Sequence, residues 1–99
     1  MSSEIEIELS DELDLEEPKK FKVFLLNDDY STMDFVIDVL VKVFRKSVDE
    51  ASAIMISIHN NGREMCGVYT HEIAATKVAQ VKTMAREKGF PLKAMMEEE

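Results

Sequence analysis

The chain has 99 residues, enough for one domain, with 20 acidic residues against 12 basic ones and a formal net charge of −8. Eight of the acids lie in residues 1–17, which contain no Lys or Arg, and the other twelve are balanced by the twelve basic residues that follow. A neutral domain of about 80 residues behind an acidic leader has none of the clustered basic surface of a nucleic-acid binder, no run approaching the roughly 20 apolar residues that span a bilayer, and no signal-peptide start.

Residues 1–17 alternate acid and aliphatic through Glu4-Ile5-Glu6-Ile7-Glu8-Leu9. The period is that of a strand, but uncompensated charge and the lack of aromatic residues predict a disordered extension. Pro18 marks its end, so residues 1–18 are read as the extension and 19–99 as the folded domain.

Phe21-Lys22-Val23-Phe24-Leu25-Leu26 reads as a short strand, closed by the polar turn Asn27-Asp28-Asp29-Tyr30. Ser31, with Asp34 three residues on, resembles a capping box opening a helix over residues 32–46. That helix is apolar nearly all round, with Asp34, Asp38, Lys42 and Arg45 as one wet stripe, so it is expected to be mostly buried. Ser47 and Glu50 form a full capping box for a second helix over residues 48–59, stopped by Asn60-Asn61-Gly62. Residues 63–69 form a second strand, in which Gly67 marks a bulge or a close backbone approach. Thr70 caps a third helix that Gly89 ends, with Pro91 just beyond. Residues 92–96 give a last strand and 97–99 a frayed end. The order is βααβαβ. It predicts an α+β fold, a two-layer sandwich of a three-stranded sheet with three helices on one side.

The richest local chemistry is the turn Asn27-Asp28-Asp29-Tyr30-Ser31, which by itself also reads as a plain turn before a helix. Met55, Ile58 and His59, spaced i, i+3, i+4, share one face of the second helix, and Met33 and Val36 share a face of the first. If the two helices are neighbours, Met33, Val36, Met55 and Ile58 line an apolar hole with Asn27, Asp28 and His59 at its rim. That is the anatomy of a small-ligand site with an acidic lip suited to a cation.

The run Lys22-Val23-Phe24-Leu25-Leu26-Asn27-Asp28-Asp29-Tyr30-Ser31-Thr32-Met33-Asp34-Phe35-Val36 resembles the signature of the ClpS family, the N-degron (N-end rule) adaptors of bacterial AAA+ proteases. Met55 to His59, Cys66-Gly67-Val68-Tyr69-Thr70, Glu72, Lys77-Val78-Ala79 and Pro91-Leu92 follow in matching order, so the resemblance covers residues 21–95. It implies a fold like the C-terminal domain of ribosomal protein L7/L12. It also implies a non-enzymatic role in protein degradation: binding proteins that begin with a free Phe, Tyr, Trp or Leu and delivering them to a Clp unfoldase such as ClpA. On the matching positions, Asn27, Asp28 and His59 are expected to bind the substrate α-amine. Ser31, Val36, Met55, Ile58 and Leu92 are expected to form the pocket for the first side chain, with Met33 as its gate against β-branched residues. Glu72 and Lys77 are expected to dock on the unfoldase's N-terminal domain. Ser31 stands where the family usually has Thr, Thr32 where Pro is common, and Ile58 where Val is common.

Two rival readings set this apart. An enzyme would draw on Asp28, Asp29 and His59, but one His is a thin metal-ligand set and Cys66 has no sequence-local partner. No CxxC, HExxH, GxGxxG or GxxxxGK[ST] motif occurs, and no metal or cofactor is expected. A pocketless L7/L12-like interaction module predicts no affinity for free-amine peptides. A lone Cys66 permits no disulfide within the chain and suits a reducing, cytoplasmic setting. The expected partners are N-degron substrates and the unfoldase, with neither nucleic acid nor membrane, and the expected state is a monomer.

Overall fold

The computed structural model describes residues 17–99; the expected extension lies outside the described residues except for its last two positions. The elements run β1 (Lys20–Leu26), α1 (Met33–Lys42), α2 (Val48–Asn61), β2 (Arg63–Thr70), α3 (His71–Lys88) and β3 (Lys93–Glu98), the predicted order.

The sheet order is β2-β1-β3, with β1 antiparallel to both neighbours. Strand alternation aims Val23 and Leu25, each 0% exposed, at the helices, while Lys22 and Phe24 point to the other side. Val39 and Leu40 of α1 and Val81 of α3 meet them in the core. Burying one such aliphatic side chain contributes about 1.5–3 kcal/mol. On the outer face Arg63 lies over the Phe24 ring, 4.1 Å from its centroid, and pairs with Glu97 at 2.8 Å.

Gly67 does mark a bulge. Val23 opposes Gly67 and Phe24 opposes Met65, so Cys66 is the extra residue of β2 and its side chain turns into the core. A Cβ at position 67 would collide with the Tyr69 ring, which lies across the glycine.

Beyond shifts of one or two residues at other element ends, four features differ from the sequence reading. α1 ends at Lys42 instead of running to position 46. Val43 and Phe44 leave the helix but stay buried, Arg45 takes a left-handed φ of 58°, and Lys46 N–H reaches back to the Leu40 carbonyl. The cap of α1 is Thr32, whose hydroxyl accepts from Phe35 N–H at 3.1 Å; Ser31 is left to the preceding turn. Thr70 holds the cap position of α3 but its side chain makes no capping bond. Finally, residues 97 and 98 belong to β3 and are not frayed. Glu97 pairs with Arg63, Glu98 with Lys19 at 3.5 Å, and Glu99 N–H donates to the Lys20 carbonyl. The Ser47–Glu50 capping box and the left-handed stops at Gly62 and Gly89 form as predicted.

Candidate functional site: a polar-lipped pocket between the first two helices

The turn after β1 is fastened to the end of α2. Gly62, in a left-handed conformation with φ 86°, gives its N–H to the Ile58 carbonyl and its own carbonyl to Asn27 N–H at 2.8 Å. A strand end and a helix end distant in sequence are thereby locked side by side, and residues 27–31 come to lie beside His59.

Within the turn, Asp28 Oδ1 accepts two backbone N–H groups, from Tyr30 at 2.8 Å and Ser31 at 2.6 Å. This is the local side-chain-to-backbone bonding that Asp favours in turns. Burial alone would push the Asp28 carboxyl up. The Ser31 and Tyr30 N–H bonds outweigh that and hold it below the ordinary 3.8, helped by the Ser31 hydroxyl although its geometry falls short of a hydrogen bond. Asp28 Oδ2 and Ser31 Oγ are buried with no partner among the described residues.

Below this lip lies a pocket of about 350 Å3. Its floor is made by Val36 of α1, Ile58 of α2 and Leu92 just before β3, which are 7%, 3% and 4% exposed. Met55 adds a flexible wall, and Met33, 66% exposed, stands in the first turn of α1 at the mouth. Asn27, Asp28, Ser31 and His59 complete the rim. All nine residues expected at the amine and side-chain positions thus border one cavity. Three wall residues were not foreseen in that role: Leu26, Asp29 and Ile56. Ile56 directly follows Met55 and is 53% exposed, a mismatch with its apolar side chain that helical spacing alone does not reveal. Asp29 faces the same cavity as Asp28 although adjacent residues in a turn ordinarily diverge.

Glu72 and Lys77 lie away from the pocket on α3. Glu72 is exposed in the first turn. Lys77 is only half-exposed: its ammonium donates to the Val43 carbonyl at the end of α1 at 2.7 Å and lies 5.6 Å from the centre of the Tyr69 ring. It satisfies a carbonyl that the helix end leaves open. Burial pushes the Cys66 thiol up to about 12, so the group is an inert core residue. Among the described residues no cluster of three His, Cys, Asp or Glu side chains could hold a metal, and no helix is long and apolar enough to cross a membrane.

An apolar hole under a carboxylate, an amide and an imidazole, carried on a two-layer α+β domain, is chemically suited to a ligand with an apolar body and a polar, cationic head. Residues 16–95 match the family described as "ATP-dependent Clp protease adaptor protein ClpS". The chain is 54% identical over 96 residues to an ATP-dependent Clp protease adapter protein ClpS of Wolinella succinogenes, covering 97% of this chain and 94% of the relative. It is 46% identical over 99 residues to the Acetivibrio thermocellus protein of the same name, covering all of both. Its fold superimposes on Agrobacterium tumefaciens ClpS2 bound to L-phenylalaninamide with a TM-score of 0.81 at 41% identity, over 84% of this chain and all of that one. The chain belongs to the ClpS family of Clp protease adaptors.

Proposed function

We propose that this adaptor reads the N-terminus of its cargo: it captures proteins that begin with a free Phe, Tyr, Trp or Leu and hands them to a ClpA-like AAA+ unfoldase in the cytoplasm. The observation that carries this reading is the pairing, in one cavity, of a buried unpartnered carboxylate oxygen on Asp28 with an apolar floor of Val36, Ile58 and Leu92. A free α-amine is largely a cation near neutral pH, its ordinary pKa being about 7.7–8.0. Asp28, with Asn27 and His59, receives that cation while the first side chain fills the hole. L-phenylalaninamide, the ligand of the structurally similar ClpS2, has the same two parts, a free amine and an aromatic side chain. Met33 at the mouth restricts branching at Cβ. Glu72 and Lys77 belong to the surface that meets the unfoldase's N-terminal domain, and the acidic leader supplies a handle for it. The adaptor acts as a monomer and without a cofactor.

The test is a fluorescence-anisotropy titration with three labelled peptides: one with a free N-terminal Phe, the same peptide N-acetylated, and one beginning with Val. A site built to hydrogen-bond its ligand rejects an analogue lacking the group by up to roughly 10⁴–10⁵. Tight binding of the first peptide alone is expected. Equal binding of all three would mean a sticky groove, and binding of none would favour the pocketless interaction module.

A further inference from the structure

A second cavity lies where the C-terminal half of α3 meets β3, and nothing in the adaptor reading uses it. Its floor is apolar, with Val78, Phe90 and Leu92 among the residues that form it, and its rim carries Lys82, Arg86 and Lys93. All three cations are exposed, and none is ion-paired among the described residues. Lys82 and Arg86 are one helical turn apart, an i,i+4 pair of like charge that is unfavourable unless an anion lies between them. Beside them β3 is an edge strand, so its outer side presents open backbone groups.

We propose that the chain's own acidic leader docks here, with residues 4–9 lying along this groove. The complementarity is specific in sign and in pattern. In an extended segment Glu4-Ile5-Glu6-Ile7-Glu8-Leu9 puts its carboxylates on one side and its aliphatic side chains on the other. Ile5, Ile7 and Leu9 meet the apolar floor and the carboxylates meet the three cations. The reach suffices. Lys93 pairs with Leu26 at the far end of β1 from Lys20, about 20 Å along the strand. Residues 10–19 span up to about 33–36 Å when extended. Leu92 forms part of both this groove and the first pocket, so the docked leader rests against the back wall of the ligand site.

The experiment is paramagnetic relaxation enhancement on the full chain carrying a nitroxide on Ser3→Cys, the buried Cys66 being spared by labelling at neutral pH. The expected result is severe loss of amide signals around Lys82, Arg86 and Lys93, independent of protein concentration. The loss should vanish in the K82E/R86E double variant, whose unchanged remaining spectrum shows that it folds, and shrink at high salt. Losses centred on Lys19, Lys20 and His71, near where the leader leaves the domain, would overturn the proposal, as would no localised loss. Loss that grows with protein concentration would overturn it too, since the groove would then hold a second copy's leader.

Discussion

Asp28 and Ser31 are joined by one short bond, from the Ser31 backbone N–H to Asp28 Oδ1 at 2.6 Å, while the second carboxylate oxygen, Asp28 Oδ2, and the Ser31 hydroxyl Oγ stay buried with no partner among the described residues. Half of the carboxylate shapes the turn and half is left to act. The two roles separate by substitution. Asp28→Asn keeps an acceptor for the Tyr30 and Ser31 N–H groups but removes the charge. A hydrogen bond to a charged group is worth about 1.5–3 kcal/mol, so affinity for a free-Phe peptide should fall about 10- to 100-fold, with a smaller loss of thermal stability than Asp28→Ala causes. Asp28→Ala should lose the affinity and also loosen the turn. Equal stability for Ala and Asn would deny Asp28 its part in shaping the loop.

Binding should trace a plateau with two flanks. Asp28 is held below the ordinary 3.8, so its charge persists through mild acid and is lost only as the pH falls through that depressed value. The same depression stabilises the fold above the unfolded carboxyl's pKa, a contribution that fades over the same acid range. On the alkaline side the peptide amine, with a pKa of about 7.7–8.0, gives up its proton and affinity declines. Anisotropy titrations across pH locate both flanks. An unchanged affinity well above the amine's pKa would argue against recognition of its charge.

Met33 and Ile58 both line the hole but differ in burial, so a role of each in selecting the first side chain can be tested at different cost. Met33 is 66% exposed, so Met33→Ala should leave stability within about 0.5 kcal/mol while admitting Val-initiated peptides. Ile58 is 3% exposed and belongs to the core, so Ile58→Val should cost about 0.5–1.5 kcal/mol of stability. It also enlarges the pocket by one methylene, and Trp should gain on Leu by a similar amount. Paired denaturation and peptide-competition measurements check both. A Met33→Ala protein that still rejects Val would remove the gate from that residue.

Lys77 joins two helices before it meets any partner. Its charged bond to the Val43 carbonyl is partly exposed, and Lys77→Ala should lower stability by about 1–2 kcal/mol in urea. Glu72→Ala, on an open first turn, should be near neutral. Delivery assays on the two variants therefore need different controls, and only the Glu72 variant reports on the surface alone. A fully stable Lys77→Ala protein would deny the helix-end role.

Most of the architecture was legible because it is written in local chemistry. The Ser47–Glu50 box and Gly62 each act within one helical turn, and the pocket residues sit at i, i+3, i+4 spacings that pre-assign a face. What escaped depends on contacts across the fold. Nothing near Arg45 marks a left-handed residue, since the usual Gly or Asn is missing; the early end of α1 follows from Val43 and Phe44 turning inward. The sequence points to Ser31 as the cap of α1, but the Asp28 turn takes up Ser31 and the adjacent hydroxyl of Thr32 caps the helix. The C-terminal glutamates look like a frayed end until Arg63 and Lys19 are seen opposite them.

The position of β1 has a mechanical consequence. The leader runs directly into the central strand, which is registered against seven residues of β2 on one side and six of β3 on the other. A pulling force applied at the N-terminus acts along that strand's own axis. It loads both ladders in shear, so many hydrogen bonds must break together before the first residue yields; a tug on either edge strand from the side would open them one at a time. If a motor grips the leader as proposed, it pulls on the sheet's stiffest direction, and the handle would slip from its grasp before the domain comes apart.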